Sequence, residues 1–133
     1  MAAAFHHRAM AVILIVEDDP HVARLIGLVL QRGGHTSEVV GDGNAAVEKA
    51  RSLRPALIFA DLGIKGLSGE ALCSTLKSDE ATRGIPYVIV SGDRDLAEKA
   101  RGCGADDYMG KPFEFDDLLR LVNKYATQSG NTD

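Results

Sequence analysis

A chain of 133 residues is the length of one compact domain, and 45% hydrophobic with 26% charged side chains is ordinary for a globular fold. These values exclude a disordered chain or a membrane bundle; a chain this long buries roughly two-thirds of its unfolded surface and needs no metal or disulfide to hold its core. Fifteen Lys and Arg against nineteen Asp and Glu leave a net charge of −4 with no basic stripe, so no direct nucleic-acid partner is expected.

Residues 1–10 are expected to form a loose, flexible N-terminal extension. Ala11–Val16 (AVILIV) is apolar, β-rich and free of charge, as in a strand buried on both faces. The run is too short for a signal peptide, lacks a small-residue cleavage site and ends in Glu17-Asp18-Asp19. Pro20 opens a helix in which Val22, Leu25, Ile26, Val29 and Leu30 recur at helical spacing until Gly33-Gly34 stops it. Ser37–Val40 predicts a short, weak strand. Asn44 is the expected N-cap of a helix over Ala45–Leu53, which Pro55 terminates.

Ala56–Ala60 (ALIFA) predicts a third strand running into Asp61. Ser68 then caps a helix carrying Leu72 and Leu76. Tyr87–Val90 (YVIV) is the fourth strand and ends at Ser91; Leu96–Arg101 is a short helix cut by Gly102 and Gly104. Asp107–Met109 is a brief fifth strand before Lys111-Pro112. The last helix turns Phe115, Leu118, Leu119 and Val122 to one face, and the polar tail at 127–133 is expected to fray. Five β-α units predict an α/β fold: one domain over residues 11–126, with a doubly wound parallel sheet and helices on both faces. No stretch is long enough to span a membrane, so a cytoplasmic protein is expected.

Function in such open sheets sits at the carboxyl ends of the strands. Here those ends deliver Glu17, Asp18 and Asp19 from the first strand, Asp61 from the third, Ser91 from the fourth, and Lys111, after Tyr108, from the fifth. Two unit charges about 4 Å apart repel by roughly 4 kcal/mol at an effective dielectric of about 20. Gathering Asp18, Asp61 and one of Glu17 or Asp19 therefore opposes folding unless a cation joins them. An all-oxygen donor set suits Mg2+ far better than Zn2+, and Lys111 adds a permanent positive charge. This constellation suits phosphoryl transfer, which rests on positioning and charge stabilisation. Asp61 is the best nucleophile because it ends its strand alone, whereas Asp18 sits among acids suited to metal binding. The Ser91 hydroxyl can donate to a phosphoryl oxygen. Cys73 and Cys103 form no CxxC pair and the four histidines show no ligand spacing, so two reduced thiols are expected and no zinc site.

The run IVEDDP at 15–20, Asp61 with Gly69 eight residues later, VSG at 90–92 and ADDYMGKPF at 105–113 follow one another on successive strand ends. This ordered set resembles the receiver domain of two-component response regulators, the CheY-like family, over about residues 11–126. The resemblance implies a flavodoxin-like (βα)5 sheet of strand order 2-1-3-4-5. It implies that Asp61 is the phosphoacceptor, supplied by a sensor histidine kinase or a histidine phosphotransfer protein. Glu17 and Asp18 match the family's acidic pair, with Asp18 a direct Mg2+ ligand beside Asp61 and the backbone carbonyl of Gly63 the third protein ligand. Ser91 matches the switch hydroxyl, Lys111 the family's lysine, and Tyr108 the aromatic that changes rotamer with phosphorylation state. Lys111-Pro112 is expected to be cis. A downstream effector protein or domain would read the altered surface, and a homodimer is allowed. Such a domain is no enzyme in the usual sense, since it catalyses only phosphorylation and dephosphorylation of its own aspartate.

Three positions depart from the family pattern. Lys65 stands where proline is usual, which suggests a looser loop and an extra cation near the site. Gly63 offers no side chain at a position thought to tune phosphoryl lifetime. The interval from Ser91 to Lys111 is shortened, which leaves a stunted fourth helix on the usual output face.

Blander readings stand beside each assignment. Glu17 and Asp18 also suit an acidic loop at a helix N-terminus, and Asp19 is the expected cap. Ser91 also suits a strand-end turn, Lys111 a solvated one, and Tyr108 a packed edge aromatic. Phe113 and Phe115 read as packing at a helix start, and His21 and His35 as surface residues. The principal rival function is a degenerate receiver that binds partners independently of phosphorylation. An aspartate-nucleophile phosphatase would more usually carry DxD after the first strand, where this chain has EDD. A nucleotide or flavin site lacks its Gly-rich or Ser/Thr-rich loop.

Overall fold

The computed structural model describes the backbone of residues 12–130 and side chains as far as Ala126. The extension expected at 1–10 and the last three residues lie outside the described residues. Strands and helices alternate in the order β1 (Val12–Val16), α1 (Pro20–Arg32), β2 (Thr36–Val40), α2 (Gly43–Leu53) and β3 (Leu57–Ala60). They continue as α3 (Gly69–Lys77), β4 (Tyr87–Ser91), α4 (Leu96–Cys103), β5 (Asp107–Gly110) and α5 (Phe115–Gly130). The strands pair in parallel in the order β2-β1-β3-β4-β5. This is the flavodoxin-like (βα)5 sheet the sequence led us to expect.

The pleat of each central strand supplies two cores at once. Ile13, Ile15, Leu57, Phe59, Val88 and Val90 pack against Ile26 and Leu30 of α1 and Leu118 and Val122 of α5. On the opposite face Leu14, Val16, Ile58, Ala60, Tyr87 and Ile89 meet Ala46 of α2, Leu72 and Leu76 of α3, and Leu96 and Ala100 of α4. Because both faces are covered, β1, β3 and β4 read as unbroken apolar runs; the polar alternation of a half-exposed strand is absent.

Several element ends differ from expectation, each for a local reason. The N-cap of α2 is Asp42, not Asn44: the Asp42 carboxylate accepts from the Asn44 N–H at 2.7 Å and the Ala45 N–H at 3.2 Å, which draws the helix start back to Gly43. Gly102 lies inside α4, and the stop is Gly104, whose left-handed φ of 86° a side chain would strain. The last helix continues past Thr127 to Gly130. Leu118 and Val122 are buried in the core, but Phe115 is 51% exposed and takes no part in it. Phe113 does pack there.

His35 is the clearest correction. Expected at the surface, it is only 9% exposed, and its Nδ1 has no hydrogen-bond partner among the described residues. Burial lowers its pKa from the usual 6.5. The unfolded chain therefore binds this proton more readily than the folded one. The contribution of His35 to stability is complete above 6.5 and is lost as the pH falls below that value. Urea midpoints measured stepwise from neutral into mildly acidic buffer should fall for the native chain, and His35→Leu should flatten that segment of the curve. An identical slope in both would show that His35 binds its proton equally in the folded and the unfolded chain, and would overturn the shift.

Candidate functional site

Parallel register brings the carboxyl ends of the strands level. Val16 lies beside Ala60, Ala60 beside Ile89, and Ser91 beside Gly110. The ladder continues past the strands: the Glu17 N–H donates to the Val40 carbonyl at 3.0 Å, the Asp61 N–H to Val16 at 3.1 Å, and the Lys111 N–H to Ser91 at 3.0 Å. Backbone hydrogen bonds thus hold three charged residues along one edge, so the fold supplies the juxtaposition that side-chain repulsion alone would resist.

Carboxylate oxygens of Glu17, Asp18 and Asp61 all lie within 4.8 Å of one another. Lys111 Nζ donates to Glu17 Oε1 at 3.1 Å and stands 3.7 Å from Asp61 Oδ2. Glu17 is 4% exposed, and its other oxygen accepts from the Asp19 N–H at 3.1 Å. Both oxygens of Glu17 are therefore engaged. Among the described residues neither the Asp18 nor the Asp61 carboxylate accepts a hydrogen bond, and these two remain the open donors. Asp19 lies outside the cluster as the cap of α1, accepting from the His21 N–H at 2.9 Å. Glu17, not Asp19, completes the acid set.

Three carboxylates beside one ammonium leave an excess of negative charge. A dry pocket tolerates that poorly, since repulsion at contact distance is worth roughly 4 kcal/mol per pair even at an effective dielectric of about 20. The donors are hard oxygens, those of Asp18 and Asp61 accept no hydrogen bond among the described residues, and they fit Mg2+.

The remaining predicted residues lie on β4, on β5 and in the segments that follow β3 and β5. Ser91 is 7% exposed, and its Oγ accepts from the Asp93 N–H at 3.1 Å, leaving the hydroxyl proton to donate elsewhere. Tyr108, on edge strand β5, is 46% exposed and so is not the packed aromatic of the blander reading. A Cβ at Gly63 would start 4.0 Å from Asp61 Oδ2, so any side chain at this position would overlook the Asp61 carboxylate. The peptide bond between Lys111 and Pro112 is cis. The loop that Lys65 was expected to loosen is tied to its neighbour: the Lys65 carbonyl accepts from the Gly43 N–H at 2.8 Å and the Leu67 N–H at 3.0 Å. The Lys65 side chain points to solvent.

Two supporting residues have roles that sequence reasoning did not explain, Gly69 being quoted there only as part of a motif. A Cβ on Gly69 would fall 2.3 Å from the Asp61 carbonyl oxygen, so only glycine lets the start of α3 sit against the backbone of Asp61. The buried Tyr87 hydroxyl donates to the Gly69 carbonyl at 2.8 Å. Burial holds that phenol well above its usual pKa, so it stays a donor. The only sequence signal for Tyr87 was one polar tip in an aliphatic strand.

With this geometry in place, similarity to known proteins becomes decisive. The family model of the response regulator receiver domain matches residues 13–123. This chain belongs to that family. The receiver is 38% identical over 112 residues to the DNA-binding response regulator MtrA of Mycolicibacterium smegmatis, a match spanning 83% of this chain and 48% of that protein. It is 36% identical to the response regulator ArlR of Staphylococcus saprophyticus, over 85% of this chain and 51% of that protein. The chain therefore spans about half the length of the curated relatives it matches. Among solved structures, the receiver domain of a signal transduction histidine kinase from Syntrophus aciditrophicus superposes with a TM-score of 0.84 and 32% identity, covering 92% of this chain and 95% of that one. The receiver of a sensor histidine kinase from Pseudomonas aeruginosa gives a TM-score of 0.82 at 27% identity, covering 87% and 97% of the two chains, and holds a magnesium ion in its active-site cleft. Relatives named as DNA-binding lend no support to the expectation that nucleic acid plays no part. Among the described residues no helix is long and apolar enough to cross a membrane.

Proposed function

We propose that this receiver takes a phosphoryl group onto Asp61 from the phosphohistidine of a sensor histidine kinase or histidine phosphotransfer protein, and that Asp18, Asp61 and the Gly63 carbonyl bind Mg2+ for the purpose. One observation carries the reading: acidic oxygens from two strands converge within 4.8 Å, with a lysine ammonium 3.7 Å from the nucleophile. An Asp61 oxygen attacks phosphorus, the bond from phosphorus to the imidazole nitrogen breaks, and an acyl phosphate forms. Bound Mg2+ supplies positive charge for the phosphoryl oxygens. Lys111 supplies a second cation from the fifth strand, and Glu17 orients it.

In the phosphorylated domain the Ser91 hydroxyl donates to a phosphoryl oxygen, and Tyr108 leaves solvent for the space vacated. The surface of α4, β5 and α5 is thereby biased towards a second state that an effector protein or domain reads. DNA contact, where relatives have it, belongs in this reading to the effector. The domain works in the cytoplasm and turns over no substrate beyond its own aspartyl phosphate. The opposing possibility is a degenerate receiver; the complete set of acids and lysine argues against it. Beryllofluoride with Mg2+ should shift the amide resonances around Asp61, Ser91 and Tyr108. A spectrum that does not respond would establish the phosphorylation-independent module instead.

A further inference from the structure

The two cysteines, distant in sequence, meet in the fold. Cys73 on α3 is fully buried, and its thiol donates to the Cys103 carbonyl at 3.3 Å. Cys103 closes α4; it is half-buried, donates to the Ala100 carbonyl at 3.5 Å, and lines an open cleft of about 550 Å³ between α3 and α4. Both thiols are free. Burial first, and then the adjoining Cys103 side chain, push the Cys73 thiol above its usual pKa. Cys103 thus lines a solvent cleft while its neighbour Cys73 is buried behind it. That asymmetry matches an attacking cysteine paired with a resolving one.

We propose that Cys103 and Cys73 form a peroxide-responsive disulfide that tethers α3 to α4. The Cys103 thiolate attacks one oxygen of hydrogen peroxide, the O–O bond breaks, and water leaves after taking up a proton; Cys103 becomes a sulfenic acid. The Cys73 sulfur then attacks the Cys103 sulfur, the S–O bond breaks, and the Cys73 proton departs with the hydroxide as a second water. Two thiols are oxidised by two electrons in all, and one peroxide is reduced to two waters. The oxidant class follows from the cleft. Glu70, Asp95 and Glu98 outnumber Lys99 along its walls, and Lys99 is already paired with Asp93 at 2.9 Å. A small neutral peroxide enters such a cleft more readily than an anionic disulfide such as oxidised glutathione.

The tether would join the helix that follows Asp61 to the helix that follows Ser91. Its formation does not depend on phosphoryl transfer, so the two readings fail separately. The test treats the reduced, unphosphorylated chain with hydrogen peroxide or with oxidised glutathione, then counts thiols after denaturation and maps linked peptides by mass spectrometry without reductant. Peroxide should remove both thiols, yield the Cys73–Cys103 peptide and raise the thermal midpoint, with dithiothreitol reversing all three; glutathione should act more slowly. Cys73→Ala should leave Cys103 as a sulfenic acid that dimedone traps, and Cys103→Ser should keep its remaining thiol. Two surviving thiols in the native chain, disulfides only between chains, or a Cys103 that over-oxidises while Cys73 stays free would each overturn the proposal.

Discussion

Asp61→Asn is expected to reduce phosphoryl uptake from a small-molecule donor such as acetyl phosphate to background while leaving the domain folded. An amide is isosteric with the carboxylate but presents no anionic oxygen to attack phosphorus. The fold should tolerate the change. Asp61 is held by its backbone N–H on Val16 at 3.1 Å, and its side chain accepts no hydrogen bond among the described residues. Removing one of three clustered negative charges relieves repulsion, so thermal stability without metal should stay level or rise. Mg2+ affinity should fall about tenfold or more as one of two open ligands is lost, on the order of 1.4 kcal/mol. Labelling with a radioactive donor, beside a calorimetric metal titration, separates these effects. Undiminished labelling would place the acceptor elsewhere.

The sequence exposed the sheet because its signals are strong and local. AVILIV, ALIFA and YVIV are runs that only a strand covered on both faces can bury, and charged or polar strand ends follow each one. The positions of Asp61 and Ser91 follow from that alternation, whereas Lys111 follows the short, weakly apolar fifth strand. Whether Glu17 or Asp19 completed the acid set was not legible from spacing. The choice depends on a cap, since Asp19 accepts from the His21 N–H while Glu17 turns inward to Lys111.

What stayed hidden arises from contacts between elements far apart in sequence. His35 reads as a polar turn residue after Gly33-Gly34 and is buried by tertiary packing. Gly69 could be quoted as part of a motif, but its reason is the Asp61 carbonyl that lies against it. The pairing of Cys73 with Cys103 requires α3 and α4 to be neighbours, which no spacing rule reveals. Phe115 fits a helical stripe by count, yet it lies in the first turn of α5, beyond the core that Leu118 and Val122 fill. Periodicity thus locates faces, and only packing decides which end of a face is covered.

Lys111→Met should weaken phosphoryl uptake and strengthen Mg2+ binding at once, a combination that a merely damaged site does not produce. Lys111 donates to the buried Glu17 at 3.1 Å and stands 3.7 Å from Asp61. Without the ammonium, Glu17 keeps only the Asp19 N–H, and a buried carboxylate loses its counter-charge. Breaking a well-buried pair costs about 3–5 kcal/mol; the Lys111 side chain is 25% exposed, and water would soften the loss to about 2 kcal/mol. Mg2+ no longer competes with a resident cation, so it binds the remaining acids more tightly and restores much of that stability. Uptake still falls, on the order of a hundredfold, because the second positive charge beside the phosphoryl oxygens is missing. Urea midpoints with and without Mg2+ test the argument directly: the gap between them should be wider in the variant than in the native chain. Equal gaps would mean that Lys111 does not share the acids with the metal, and an unchanged metal-free midpoint would mean that it does not hold Glu17 in place.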